Sequence, residues 1–134
     1  MARTSSKQYD RIIESAKKAA RAAYAPYSKI RVGAAVRTRK GKIFTGCNVE
    51  NASLSLTLCA ERNAIGSAIA AGESEFTYLV LSSPDIEYIT PCGCCAQFLA
   101  EFNPDIIIIT TGSKNTYKVY QLKDILAIPF KRRE

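Results

Sequence analysis

Two short segments, Cys59-Ala60-Glu61 and Pro91-Cys92-Gly93-Cys94-Cys95, restrict this chain more than any other feature. The chain has no histidine. Neither its metal ligands nor its general base can therefore be imidazole. Cys59 from one segment can close around one metal ion with Cys92 and Cys95 from the other. That closure requires a fold that brings two helix starts side by side, because both segments stand where helical patterns begin. The first turn of a helix offers unpaired N–H groups and a partial positive charge, which favours thiolates. Three protein ligands leave a fourth tetrahedral position for water, the catalytic rather than the structural arrangement of zinc. Glu61 stands beside that position as a proton carrier. Arg62 can hydrogen-bond to the thiolates and offset the charge of a three-thiolate core. The competing readings are a structural zinc, with Cys94 or Cys47 as fourth ligand, and no metal at all. Cys94 adjoins Cys95, a poor geometry for two ligands on one ion, and Glu61 has no purpose under either reading.

The rest of the chain reads as an alternation of helices and strands. Ser5 or Ser6 can cap a helix running to about Tyr24, with Tyr9, Ile12, Ile13, Ala16, Ala19, Ala20 and Ala23 recurring at helical spacing and Pro26 ending it. A strand from about Arg31 to Thr38, a turn at Gly41 and a strand from Ile43 to Asn48 make an antiparallel hairpin. A helix from about Thr57 to Ala71 is apolar on nearly all sides and is expected to be central and buried, with Gly72 as its C-terminal cap. Phe76 to Ser82 reads as a strand, and Cys92 to Phe102 as a helix. Asp105 to Thr110 reads as a strand buried on both faces. Thr116 to Tyr120 is a further strand, and Leu122 to Leu126 a last helical turn. The connection before Thr116 is too short for a parallel crossover, so those last two strands are expected to pair antiparallel. This order describes one α/β sandwich, a single domain over residues 1–134.

Composition limits the remaining choices. At 134 residues with 47% apolar content, the chain can bury a core. It contains no stretch of 18 apolar residues, and its N-terminus lacks the apolar core of a signal peptide, so a cytoplasmic location is expected. Five cysteines fit a reducing compartment better than a disulfide frame. Residues 1–42 carry 12 Lys/Arg against 2 Asp/Glu. A basic third of this kind can touch nucleic acid, but aromatic partners for bases are few there. A solvated basic face is the preferred reading.

Cys-x-Glu followed by Pro-Cys-x-x-Cys is a signature of zinc deaminases. The chain resembles the small homotetrameric cytidine deaminases over nearly its whole length. Tyr27-Ser28-Lys29, Val32-Gly33-Ala34-Ala35, the run from Gly41 to Ser53 with Asn48-Val49-Glu50-Asn51-Ala52, and both cysteine segments stand in family order. The resemblance implies a three-layer α-β-α sandwich around a five-stranded mixed sheet, with helices on both faces. It implies zinc on Cys59, Cys92 and Cys95, Glu61 as proton shuttle, and hydrolytic deamination of a free aminated pyrimidine nucleoside. It further implies that Asn48 and Glu50 hold a ribose hydroxyl, that Ala60 touches the substrate, and that Phe130 enters the site of a neighbouring subunit in a homotetramer.

Departures fall on the implied substrate wall. Ile30 stands where the family usually has Phe, followed by Arg31 instead of Pro. Leu54 stands in place of Tyr, and Ala96 in place of Arg. A related group acting on the aminonucleoside blasticidin S is the alternative. A zinc-stabilised nucleic-acid module or a polynucleotide deaminase is the reading of a different class.

Overall fold

Alternating apolar side chains divide the five longer strands between two helix layers. The computed structural model describes residues 3–4 and 6–133. The strands are β1 (Arg3–Thr4), β2 (Gly33–Thr38), β3 (Ile43–Cys47), β4 (Phe76–Ser82), β5 (Ile107–Thr111) and β6 (Thr116–Gln121). They form one mixed sheet in the order β1-β6-β5-β4-β2-β3. β4 and β5 run parallel, and the other pairs are antiparallel.

Helix α1 (Lys7–Ala20) covers one face. Its Ile12, Ile13 and Ala16 meet Ala35, Val80, Ile109 and Tyr117. Helices α2 (Ala60–Ala70) and α3 (Gly93–Phe102) cover the other. Ala60, Ala64, Ile65, Ala68, Ala96 and Leu99 there meet Ala34, Val36, Leu79, Leu81 and Ile108. Consecutive residues such as Leu79 and Val80 serve opposite layers, as the period of two demands. Each fully buried Leu or Ile in these layers contributes about 1.5–3 kcal/mol.

The three-layer sandwich and the antiparallel β5–β6 pair agree with the sequence reading, whereas several boundaries differ. The sheet has a sixth strand, because β1 adds two residues to the β6 edge, too short to carry a pattern. Helix α1 stops at Ala20 instead of Tyr24, since the Tyr24 N–H leaves the helix to donate to the Asn48 carbonyl. Ser6 is its N-cap without a side-chain hydrogen bond, and Ser5 lies outside the described residues. β2 starts at Gly33 instead of Arg31 because the Arg31 and Val32 N–H groups go to the side chains of Asp85 and Asn48. α2 is shorter than expected, with a separate 3-10 turn at Leu54–Leu56 before it. It is also not buried all round, for Gly66, Ser67, Ile69 and Ala70 face outward. Gly72 does turn left-handed at φ +88°, as a C-terminal cap requires.

One glycine sets the distance between sheet and site. A Cβ on Gly46 would lie 2.7 Å from the Ala60 carbonyl oxygen and closer still to the Ala64 nitrogen. Only glycine lets β3 approach the first turn of α2 this closely, and that turn follows Cys59 directly.

Candidate active site

Two helix starts meet on the α2/α3 face. Cys59 is the N-cap of α2 and Cys92 the N-cap of α3, while Cys95 lies in the first turn of α3. α3 connects two parallel strands and must return antiparallel to them. Its N-terminus therefore stands at the end of β4, reached through the loop 83–91. The Cys59 end is fixed separately. Val49 and Leu58 exchange N–H···O bonds of 2.9 Å, and Asn63 Nδ2 donates to the Cys47 carbonyl at 2.7 Å. The segment 47–50 thus runs alongside the residues leading into Cys59.

The ligand atoms of Cys59, Cys92 and Cys95 lie within 4.8 Å of one another. Tetrahedral zinc with Zn–S bonds of about 2.3 Å needs sulfurs about 3.8 Å apart, so small side-chain adjustments suffice. Neither Cys47 nor Cys94 belongs to this group among the described residues, which argues against a four-thiol structural site. Cys95 is buried, Cys59 half-buried and Cys92 exposed, so the cluster has an open side.

Charge is arranged around the thiols. Arg62 Nη2 donates to Cys59 Sγ at 3.6 Å and to the Thr57 carbonyl at 3.1 Å. The Cys59 thiol is held down at about 5, first by the hydrogen bond from Cys95 and then by Arg62, against the effect of burial. Cys95 moves the opposite way, because it keeps the proton it shares with Cys59 and is buried. Glu61 is buried, and its Oε2 accepts from Cys95 Sγ at 3.5 Å. Burial above all, together with the Cys59 thiolate, raises its carboxyl above the ordinary range. A buried carboxyl shifted in this direction can exchange a proton near neutral pH.

The residues expected at the substrate are spread over three elements. Ala60 is fully buried. Its backbone N–H belongs to the first turn of α2, where such groups lack an intrahelical partner. Ile30 packs, half-buried, against the cluster containing Ala60 and Ala96. Asn48 Oδ1 accepts from the Val32 N–H, and its Nδ2 donates to the Ile30 carbonyl, both at 2.8 Å. Glu50 Oε1 accepts from the N–H groups of Tyr27 and Ser28 at 2.9 and 3.1 Å. Hydrogen bonds from the Ser28 hydroxyl and these backbone groups hold its carboxyl below the usual range. Asn48 and Glu50 therefore brace the segment carrying Ile30. Leu54 is 76% exposed.

The Phe130 ring also points into solvent, but its backbone is clamped to α3. Its N–H and carbonyl meet the Gln97 amide at 2.8 and 2.9 Å. Gln97 and Asp85 escaped the sequence reading. Their partners lie 33 and 54 residues away, so no local pattern announces them.

Comparison with known proteins decides the lineage. Residues 6–111 match the family model for the cytidine and deoxycytidylate deaminase zinc-binding region. The chain belongs to the cytidine deaminase family. It is 42% identical over 113 residues to a probable cytidine deaminase of Dictyostelium discoideum, covering 83% of this chain and 76% of that one. It is 36% identical to the cytidine deaminase of Sporosarcina psychrophila, covering 93% of each chain. The crystal structure of cytidine deaminase from Burkholderia pseudomallei superposes with a TM-score of 0.85 at 41% identity, over 94% of this chain and all of the other. A blasticidin-S deaminase of Bacillus cereus matches at 33% identity over 61% of this chain. This protein is a deaminase, and zinc is the metal of its family. The three-thiol donor set suits that metal. Among the described residues, no helix is long and apolar enough to cross a membrane.

Proposed function

We propose that this deaminase hydrolyses the exocyclic amino group of free cytidine or deoxycytidine, giving the uridine product and ammonia. The observation that carries the reading is the three-thiol cluster at two helix starts with a buried carboxyl against it. In this reading Cys59, Cys92 and Cys95 hold the zinc, and Arg62 offsets their charge. Bound there, zinc supplies an activated water as nucleophile at neutral pH. Glu61 takes one proton from the attacking water and delivers it to the ring nitrogen beside the reacting carbon, then takes the second proton from the added hydroxyl and delivers it to the amino group, which leaves as ammonia when the C–N bond breaks. The backbone N–H of Ala60 and the side chain of Ile30 line the base. The Glu50 carboxylate and the Asn48 amide hold the ribose, and Leu54 borders the sugar.

Deamination of a bulkier aminonucleoside such as blasticidin S is the second reading. The engagement of Asn48 and Glu50 with the chain itself favours it, since fewer free polar atoms remain for a plain ribose. Ammonia release from cytidine, deoxycytidine and blasticidin S separates the two. The first reading expects cytidine or deoxycytidine to have the highest kcat/KM. Higher kcat/KM for blasticidin S transfers the assignment, and no ammonia from any of the three removes both.

Assembly completes the site in this reading. Tyr24, Val49 and Leu58 are joined by β-bridges, and together with Tyr27, Leu54 and Leu56 they present exposed apolar side chains. Patches of this kind mark contact surfaces. The outward face of α2 presents Gly66, Ser67, Ile69 and Ala70, with open space above Gly66. A homotetramer would cover these surfaces and receive the Phe130 ring, 77% exposed in the single chain, in a neighbour's site. Sedimentation should give a species larger than one chain. Phe130→Ala should lower turnover by about tenfold or more, as loss of an aromatic anchor does. A fully active monomer would contradict the assembly. Five free thiols support a reducing, cytoplasmic setting.

A further inference from the structure

The segment 27–32, which presents Ile30, is held almost wholly by side chains. Every N–H from Tyr27 to Val32 has an acceptor: Glu50 takes those of Tyr27 and Ser28, the Ala25 carbonyl that of Lys29, and Ser28 Oγ that of Ile30. Asp85 takes that of Arg31, and Asn48 that of Val32. Lys29 adopts the left-handed region at φ +62°, so this path costs backbone strain and depends on those acceptors. Two of them, Asn48 and Glu50, belong to the stretch that runs beside Cys59.

Asp85 belongs instead to the loop 83–91 that leads to Cys92. Its Oδ2 accepts from the Arg31 backbone N–H at 2.8 Å and from Arg31 Nε at 3.1 Å, while Oδ1 accepts from Nη2 at 3.0 Å. Ser83 Oγ caps the N–H groups of Asp85 and Ile86, turning the carboxylate toward Arg31. Hydrogen bonds from Arg31 hold that carboxyl below the ordinary range, so it is charged at neutral pH. We propose that Arg31 and Asp85 are a positioning pair that ties the wall carrying Ile30 to the loop carrying Cys92, and so sets how tightly the nucleoside is held rather than how fast it reacts. This rests on the functional reading above.

The loop 83–91 has anchors of its own. The Tyr88 N–H donates to the Thr111 carbonyl at 2.8 Å, its hydroxyl meets Thr116 Oγ1 at 2.6 Å, and Glu87 accepts from the Ser113 N–H at 2.9 Å. Removing the Asp85 carboxylate therefore leaves Cys92 in place. It frees the 27–32 segment at one end only, where the Arg31 N–H loses its acceptor.

Asp85→Ala and Asp85→Asn test the pair. In Asp85→Ala, KM for the best nucleoside should rise about tenfold with kcat changed less than about twofold, the mark of lost uniform binding. Zinc content should stay at the unsubstituted level, and amide exchange at 30–32 should quicken with no change over 60–70. Asp85→Asn, which keeps an acceptor for the Arg31 N–H, should recover most of the KM. Unchanged KM and unchanged exchange would overturn the pair's role. So would a fall in kcat with loss of zinc, which would make Asp85 part of the metal loop's framework. If the unsubstituted protein deaminates no nucleoside, the functional reading fails and exchange alone decides the clamp. Quickening confined to 30–32 supports the clamp, and its absence overturns it.

Discussion

Glu61→Gln is expected to lower turnover by about 10²- to 10⁴-fold, the range that one positioned general acid–base contributes. Glutamine matches the shape of glutamate and can keep its 3.5 Å contact with the Cys95 sulfur by donating an amide N–H to it. It cannot take up and release a proton. Glu61 is buried between the start of α2 and Cys95, and the neutral amide relieves a buried charge there, so folding and zinc content should hold. Turnover followed by ammonia release, with zinc measured by elemental analysis on the same sample, separates lost chemistry from lost metal. Near-normal turnover would remove Glu61 from the mechanism.

Cys95→Ala should have the second large effect, the loss of zinc together with activity. Cys95 is the most deeply buried of the three thiols, and it meets both Cys59 and Glu61. Zinc held by Cys59, Cys92 and Cys95 would join α2 to α3, two helices that otherwise share mainly their common sheet. Metal binding of this kind is linked to folding. A loss of about 3 kcal/mol would lower the melting temperature by roughly 10 °C for a domain of this size. A strong chelator acting on the unsubstituted protein should reproduce the shift. Cys94→Ser, outside the cluster, should keep one zinc per chain and the original melting temperature. Retention of stoichiometric zinc by Cys95→Ala, or loss of zinc from Cys94→Ser, would show that the ligand set is drawn wrongly.

Features that depend on neighbouring residues were legible before any coordinates. β4 occupies the predicted span, Phe76–Ser82, because its alternation and its turn residues are all local. The short link before Thr116 dictated antiparallel pairing of β5 and β6 by chain length alone. The cysteine spacing and the two helix starts named the thiols that the structure gathers within 4.8 Å. Where the reading failed, a distant partner decided the outcome. α1 gives up its last turn to Asn48, β2 gives up its first two residues to Asn48 and Asp85, and β1 exists because β6 offers it an edge.

The sequence by itself determined the alternation of helices and strands, the metal-binding residue types, and the family to which the chain belongs. Periodicity and spacing encode these within a few turns of chain. The tertiary structure alone decided how Ile30 is presented. That presentation depends on Asn48, Glu50 and Asp85, whose acceptor atoms reach backbone N–H groups 16 to 54 residues away. A polar side chain that satisfies a distant backbone group leaves no periodic trace. Its partner is chosen only when the sheet and both helix starts have brought the two segments together.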